Sequence, residues 1–374
     1  MASILTPSGR GAVATVHVEG VDAAALTDEF FHPAGPRKLL SADTGRLVYG
    51  RWGSQSGEEV VACRRAADAV EIHCHGGNVA AQAIADDLQS RGANIVDWRT
   101  WVKGSERDPL AAAARAALAE APSARTAAIL LDQYQGALRR AMDRVIAALR
   151  AGELPTAAKM IDELLRYRPV GLHLTEPFRV VLAGRTNVGK SSLINRLVGY
   201  RRAIVFDAPG TTRDVVTAHT CLDGWPVELS DTAGLRAGGD PLEDEGIRRA
   251  EFLLPTADLI LLVFDASNRW TDHDEALVRR YPLALIVHNK RDLCPELISG
   301  RPAGSYTSAT TGEGLDELIA AVASRLVPDP PHPGDAVPFA RDHFEALTNA
   351  LAAVTRGDGA AALASLSGFR APAR

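Results

Sequence analysis

The sequence predicts a multidomain protein in which a mainly parallel α/β domain lies between helical segments and follows an α+β domain. Its 374 residues are enough for about two or three domains at roughly 100–200 residues each. Residues 177–327 alternate apolar β-like runs with helical segments, a pattern typical of parallel strands joined by helices. Residues 108–168 are rich in alanine and arginine and have few β-branched runs, which predicts the first part of a helical domain at 108–175.

Residues 1–105 are predicted to form the α+β domain. Short β-like runs alternate there with helical stretches such as 79–89. The predicted strands cover residues 13–18, 60–63, 69–74 and 93–96. On such a strand His73 and His75 share one face and Cys74 points to the other, so we expect no metal site from these three residues.

Helical segments are predicted on both sides of the α/β domain. In the first, apolar residues recur at three- and four-residue spacing, which predicts one amphipathic helix. These residues are Leu131, Tyr134, Leu138, Met142, Val145 and Leu149. After the α/β domain, the prolines of residues 328–338 predict a stiff linker. Residues 339–374 are predicted to be a shortened helical segment with one amphipathic helix at about 339–355.

The composition excludes several classes of protein. A formal net charge of −5 provides no long-range field that would draw the chain onto nucleic acid or an anionic membrane. The longest apolar run, at 259–264, is far shorter than the ~20 residues of a membrane-spanning helix. The N-terminus lacks a signal-peptide pattern, and the cysteines lack zinc-ribbon spacing. We therefore expect a cytoplasmic protein that makes no membrane contact.

A phosphate-binding loop is predicted directly after the first strand of the α/β domain. The apolar run Phe178–Ala183 is followed by the letters GRTNVGKS and then by a helical stretch, which is the P-loop pattern in its usual context. Lys190 is predicted to reach the β- and γ-phosphates, and Ser191 to ligate Mg²⁺. The residues predicted to line this part of the site are Gly184, Asn187, Val188, Gly189, Lys190, Ser191 and Ser192.

Two further segments are predicted to face the metal and the γ-phosphate. The first is Asp231-Thr232-Ala233-Gly234, in which Asp231 would hold Mg²⁺ through water and the Gly234 amide would contact the γ-phosphate. The second is the loop 206–214, in which Thr212, or its neighbour Thr211, would complete the Mg²⁺ shell.

The residues Asn289-Lys290-Arg291-Asp292 predict that the base is guanine. Asp292 can accept hydrogen bonds from the N1 and N2 donors of guanine, a pair that adenine does not offer. The Ser308-Ala309 backbone is predicted to meet guanine O6. The Asp223-Gly224 turn predicts an antiparallel strand pair at the edge of the sheet. Together these motifs predict a Ras-like G domain that binds GTP and GDP.

The sequence leaves two interpretations of hydrolysis open. Leu235 follows Gly234 where Ras has a glutamine that orients water, so the chain could be a slow switch that only binds GTP. Alternatively, the Asn187 side chain could hold a K⁺ ion in place of an arginine finger, and Glu243 could orient the attacking water. Glu243 could equally be an acidic residue that interacts with a helix dipole.

These strings together resemble the MnmE (TrmE) family of tRNA-modification GTPases. The resemblance is carried by GRTNVGKSSLINRL, APGTTRD, DTAGLR, LEDEGIRRA and NKRD, and in the N-terminal domain by TPSGRGAV and EIHCHGG. It implies a G domain inserted in a helical domain and an N-terminal domain that dimerises and holds a tetrahydrofolate derivative. Gly76-Gly77 would then allow close approach of the folate or of a dimer partner.

The resemblance also implies a mechanism and partners. GTP hydrolysis would be stimulated by K⁺ through dimerisation of G domains, with Asn187 as the K⁺-binding asparagine, 206–210 as the cation loop and Glu243 as the catalytic glutamate. With a partner flavoprotein, the family modifies the wobble uridine of certain tRNAs.

The chain departs from the family pattern near its C-terminus. Family members end in a short motif with a functional cysteine, whereas no cysteine follows Cys294 here, and we therefore expect a shortened paralog. The alternatives are a tRNA-modifying enzyme that works without that cysteine, a ribosome-assembly GTPase, and a non-hydrolysing scaffold whose dimer state GTP controls.

Overall fold

The structure is a computed structural model that describes residues 1–6, 11–53, 57–199, 217–231, 256–294 and 300–369. The chain divides into two compact units, Met1–Arg107 and Asp108–Arg374. In the part of the chain that the structure describes, no helix is both long enough and apolar enough to span a membrane.

The first unit is a six-stranded antiparallel sheet with helices packed against it. The strands are β1 (Ala2–Ile4), β2 (Val13–Glu19), β3 (Phe31–Pro33), β4 (Leu47–Trp52), β5 (Glu58–Ala66) and β6 (Ala69–His75), in the order β1-β2-β6-β5-β4-β3. The helices are α1 (Ala23–Phe30), α2 (Asn78–Ser90) and α3 (Trp98–Ser105). Alternate residues of the strands, such as Val16 and Ile72, are buried in one core with Ile84 of α2, as expected for a sheet covered on one face.

The prediction of a strand at residues 93–96 is wrong. Ile95 forms only an isolated parallel bridge with Ala2, supported by the bond from the Ala2 amide to the Asn94 carbonyl at 2.8 Å. The partner strand β1 has only three residues, so the pairing with residues 93–96 does not extend beyond this bridge.

The second unit contains a helical domain whose parts are distant in sequence. Its helices are α4 (Pro109–Ala119), α5 (Ala124–Tyr134), α6 (Ala137–Arg150), α7 (Leu154–Leu165) and α8 (Arg168–Gly171), and then α12 (Arg341–Thr355) and α13 (Gly359–Ser365). Buried residues of α6, α7 and α12, such as Met142, Ile161 and Leu347, belong to one core. The α/β domain is therefore inserted between two parts of one helical domain, as expected from the resemblance.

The single helix predicted through Leu131 and Leu149 is two helices. Gly136 adopts a left-handed conformation (φ +92°) between α5 and α6, which interrupts the helical hydrogen bonds. Leu131 is consequently exposed, whereas Met142 and Val145 of α6 are buried.

The segment after the α/β domain also differs from expectation. Residues 339–374 contain a second helix, α13, which Asp358 caps by accepting a hydrogen bond from the Ala361 amide at 2.9 Å. The proline-rich segment before α12 is packed against α5. Gln133 accepts a bond from the Val337 amide at 3.1 Å and donates to the Asp335 carbonyl at 3.0 Å.

The α/β domain is a six-stranded sheet in the order β12-β11-β10-β7-β9-β8. The strands are β7 (Phe178–Ala183), β8 (Thr217–Leu222), β9 (Trp225–Asp231), β10 (Leu259–Asp265), β11 (Leu285–Asn289) and β12 (Ser305–Tyr306), with helices α9 (Lys190–Val198), α10 (Asp272–Arg280) and α11 (Leu315–Leu326). Among the described strands of this sheet, only β8 and β9 pair antiparallel, through the Asp223-Gly224 turn, which confirms the predicted edge pair. The parallel strands end at one edge, so Asp231, Asp265 and Asn289 lie on the same side of the sheet.

Candidate nucleotide-binding site

The P-loop between β7 and α9 has backbone angles that its residues are suited to adopt. Gly184 has φ +147°, and a Cβ there would lie 2.2 Å from the Val263 carbonyl oxygen. Gly189 has φ +93° at the start of α9, and a Cβ would lie 2.4 Å from Asn289 Nδ2. Asn187 also has a positive φ of 63°, a conformation that asparagine adopts more readily than most residues. The loop therefore needs glycine at both of these glycine positions.

The Lys190 side chain reaches back across the loop. Its Nζ donates hydrogen bonds to the carbonyl oxygens of Gly184 at 2.9 Å and Arg185 at 2.8 Å, and the residue is buried. A buried ammonium group needs oxygen partners, and phosphate oxygens would serve in the same way as these carbonyls while also balancing the charge. The positive charge is thus held at the loop that would surround the phosphates.

Ser191 and Asp231 come together from separate elements of the fold. Ser191 lies in the first turn of α9 and its Oγ donates to Asp231 Oδ2, at the end of β9, over 2.5 Å. Two oxygen ligands side by side suit Mg²⁺, which prefers hydroxyl, carboxylate and water oxygens. Ser192, next in the chain, is exposed on the same turn.

Several predicted site residues lie outside the described residues. They are Thr211, Thr212, Thr232, Ala233, Gly234 and Glu243, together with Leu235 and the loop 206–214. Asn187, by contrast, is described and its side chain is exposed.

Asn289 joins the P-loop to the loop that follows β12. This buried side chain donates from Nδ2 to the Val188 carbonyl at 2.9 Å. Its Oδ1 accepts from the Ala309 amide at 3.2 Å and from Thr307 Oγ1 at 3.4 Å. The Ser308-Ala309 backbone was predicted to meet guanine O6, and its Ala309 amide has a protein partner in this structure. Ser308 is buried beside it and accepts from the Thr311 amide at 3.0 Å.

Lys290 and Asp265 form an ion pair beside the predicted base site. Lys290 Nζ donates to Asp265 Oδ2 at 2.8 Å, and Lys290 has a left-handed backbone (φ +64°). The short 3₁₀-helix Arg291–Leu293 begins after it and carries the exposed Asp292. Burial favours a higher pKa for Asp265, but the hydrogen bonds from Lys290 and Ser267 outweigh it and leave the pKa below its usual value.

Sequence reasoning did not identify Asp265 as a site residue. The available signal was its position, because it ends a buried strand and therefore emerges at the edge of the sheet where ligands bind. Its parallel register with Asn289 places it beside the guanine motif.

The conspicuous residues of the N-terminal unit make contacts within their own unit. His73 Nδ1 lies 3.0 Å from Thr15 Oγ1, His75 Nδ1 lies 2.5 Å from Glu58 Oε1, and Cys74 is buried on the other face. Among the described residues, no group of three or more His, Cys, Asp or Glu side chains could hold a metal ion.

Gly76 lies directly against a neighbouring segment of its own chain. A Cβ at Gly76 would lie 1.6 Å from the carbonyl oxygen of Gly11, and the Gly76 amide donates to the Ala12 carbonyl at 2.9 Å. Gly76 thus allows the neighbouring segment of the same chain to approach closely, and the approach of a folate or a dimer partner stays a prediction.

The chain is similar in sequence to known GTPases. A sequence model of the 50S ribosome-binding GTPase family matches residues 179–290. The tRNA modification GTPase MnmE of Synechococcus sp. strain WH7803 is 36% identical over 365 residues, which cover 85% of this chain and 78% of that protein. MnmE of Synechococcus sp. strain JA-3-3Ab is 33% identical over 391 residues, covering 92% and 84%. The solved G domain of the FeoB iron transporter of T. maritima is 28% identical, with 40% of this chain and 99% of that chain covered at a TM-score of 0.30.

Proposed function

The chain belongs to the MnmE family of tRNA modification GTPases and is a GTP-hydrolysing enzyme, and from this premise we propose that its hydrolysis is Mg²⁺-dependent and K⁺-stimulated and serves tRNA modification. The observation that carries the metal dependence is the contact between Ser191 Oγ and Asp231 Oδ2 beside the P-loop. Both groups are oxygen ligands, and they lie next to the lysine that would contact the phosphates.

Each residue of the phosphate side has a defined task in this proposal. Mg²⁺, when bound, would neutralise charge on the β- and γ-phosphates. Ser191 would ligate the ion directly and Asp231 would hold its water ligands, while Lys190 would exchange its carbonyl partners for phosphate oxygens. Thr212 would complete the shell, and Glu243 would orient the attacking water.

Asn187 is the residue that supports K⁺ stimulation. It is an exposed amide on the P-loop, where a side-chain oxygen could bind a monovalent cation next to the phosphates. Such a cation would supply the positive charge that an arginine finger supplies in other GTPases.

The decisive experiment compares GTP turnover in Mg²⁺ buffer with equal concentrations of KCl and NaCl. We expect turnover in KCl to exceed that in NaCl by about tenfold or more, since the cation replaces an arginine finger. Asn187→Ala should remove the difference, and Glu243→Ala should slow turnover with nucleotide binding intact. Thr186→Ala, at an exposed neighbouring position, is the matched control and should keep the KCl preference. Equal and slow rates in both salts would contradict the mechanism.

The same proposal includes the partners of the MnmE family. We propose a cytoplasmic homodimer that binds a tetrahydrofolate derivative through the N-terminal unit and acts with a flavoprotein on the wobble uridine of tRNA. The support is the sequence identity with proteins named as tRNA modification GTPases over most of the chain. Gene deletion should remove the modified wobble uridine, and the wild-type gene should restore it while the Lys190→Ala gene does not.

Ribosome assembly is the second candidate function. It is favoured by the description of the family model that matches residues 179–290, a 50S ribosome-binding GTPase. GTP-dependent co-sedimentation with large ribosomal subunits, together with an unchanged wobble uridine in the deletion strain, would favour this candidate over tRNA modification.

A further inference from the structure

Arg301 lies outside every nucleotide-binding motif, yet its guanidinium holds a turn at the edge of the site. Its Nη2 donates hydrogen bonds to the carbonyl oxygens of Asp265 and Ala266, both at 3.1 Å. The same nitrogen also donates to the Asn268 carbonyl. One side chain thus gathers three carbonyls of the turn that follows β10.

This turn is bonded in its own right to the guanine motif. Asp265 Oδ2 accepts from Lys290 Nζ at 2.8 Å, and the Ala266 amide donates to the Asn289 carbonyl at 2.7 Å. Asp265 Oδ1 is held in turn by the Ser267 amide at 2.9 Å and Ser267 Oγ at 2.6 Å. A displacement of the turn would therefore reach both Asn289 and Lys290.

The guanidinium also contacts two aromatic side chains. Arg301 lies 5.7 Å from the centroid of the Trp270 ring, and its Nη1 lies 3.4 Å from Nδ1 of the buried His288. Because arginine is always a donor, Nδ1 accepts, and Nε2 of His288 donates to the Pro302 carbonyl at 3.0 Å. The planar group thus has both ring and carbonyl partners, which restrict its orientation.

Lys290 needs such support because its backbone is left-handed. A non-glycine residue keeps a positive φ only where the surrounding contacts hold it there. The Arg291–Leu293 turn that presents Asp292 begins directly after Lys290, so the position of Asp292 depends on the conformation of Lys290.

We propose that Arg301 is a positioning residue for guanine recognition. By holding the carbonyls of the 265–268 turn, it keeps Asp265 in place to pair with Lys290, and this pair fixes the backbone that presents Asp292 to the base. The inference rests on the assignment of the guanine base to Asp292.

The test measures affinity and base selectivity in the full-length Arg301→Gln variant. Methylanthraniloyl-GDP is the probe, and GTP and ITP compete with it; ITP lacks the 2-amino group that Asp292 would recognise. We expect the dissociation constant for GDP to rise about tenfold, the effect of losing about one well-placed contact. The preference for GTP over ITP should fall by a similar factor, while kcat at saturating GTP stays within about twofold because the phosphate side is unaltered.

Arg325→Gln is the matched control. Arg325 Nη2 also donates to a backbone carbonyl, that of Leu283 at 3.2 Å, but Leu283 precedes β11 and lies at the end of the strand opposite to Asn289. This variant should keep both the affinity and the preference for GTP.

Three results separate the possible failures. If Arg301→Gln weakens GTP and ITP equally or leaves both unchanged, the positioning role is wrong. If Asp292→Asn leaves the preference for GTP over ITP unchanged, the base assignment itself fails. If Arg301→Gln does not fold, Arg301→Lys and Asp265→Asn test the same connection from Arg301 through Asp265 to Lys290, since each removes part of it.

Combining Arg301→Gln with Lys290→Gln should lower the affinity by less than the sum of the two single losses, because both act through the pair of Asp265 and Lys290.

Discussion

The base side and the phosphate side of the nucleotide site are held together in different ways. On the base side, Asn289 and Lys290 bind protein groups that a nucleotide does not replace, namely the Val188 carbonyl and the Asp265 carboxylate. On the phosphate side, Lys190 and Ser191 bind groups that phosphate and Mg²⁺ would displace. Base-side contacts that a nucleotide leaves in place favour selectivity, whereas exchangeable contacts allow the phosphate side to respond to the reaction. Substitutions on the two sides should therefore affect different measured quantities.

The largest effect is expected on the phosphate side. Lys190→Ala should lower kcat by about 100- to 1,000-fold, because it removes a preorganised positive charge from the transferring phosphate. Steady-state hydrolysis under saturating GTP is the measurement, with GDP affinity measured in parallel. A variant that lost GDP affinity but kept its kcat would contradict the proposed division between the two sides.

On the base side, Asp292→Asn should change the preferred nucleotide from GTP to XTP. The asparagine amide no longer accepts both guanine donors but can donate to the O2 of xanthine, so GTP binding should weaken by about 100-fold or more and XTP binding should strengthen. Competition binding with both nucleotides checks this. Hydrolysis of saturating XTP at a rate near that of wild type with GTP would show that the phosphate side works independently of the base.

Gly189→Ala should damage both sides at once. The new Cβ would lie 2.4 Å from Asn289 Nδ2. The alanine would also have to adopt the positive φ of this position, which costs a non-glycine residue about 1–3 kcal/mol. We expect weaker binding of GDP and a lower thermal unfolding temperature. Gly334→Ala also substitutes a glycine of positive φ but leaves its Cβ in open space, so it should lower stability without changing nucleotide affinity.

The smallest expected effect is on the pH dependence of folding stability, through His288, which contacts Arg301. Burial lowers the pKa of His288 from its ordinary value of 6.5, the Arg301 charge lowers it further, and the bond to the Pro302 carbonyl only partly offsets both. The unfolded chain therefore binds the proton first, so stability is complete above about pH 6.5 and is lost as the pH falls through the lower folded value. Urea unfolding at pH 7.5 and 5.5 measures the loss, which should be smaller in His288→Gln. An equal loss in both proteins would assign the pH dependence to other groups.

Helices and strands were predictable where a repeating pattern ran through a long segment. The alternating apolar runs of β7 and β10 and the stripe of α6 follow from local periodicity, and the α/β class that they predict is confirmed. The wrong predictions concern places where regular secondary structure is interrupted. Gly136 divides one periodic stripe into two helices, and residues 93–96 find a partner strand too short to extend the pairing.

The candidate site divides in the same way. The sequence by itself determined the P-loop, the NKRD segment and the membership of the MnmE family, because each motif is a run of neighbouring residues whose spacing follows directly from the chain. Only the tertiary structure decided that Ser191 meets Asp231, that Asp265 pairs with Lys290 and that Arg301 donates to the turn that begins at Asp265. These contacts join segments that only the parallel sheet brings to one edge, and no local pattern records which strand ends become neighbours.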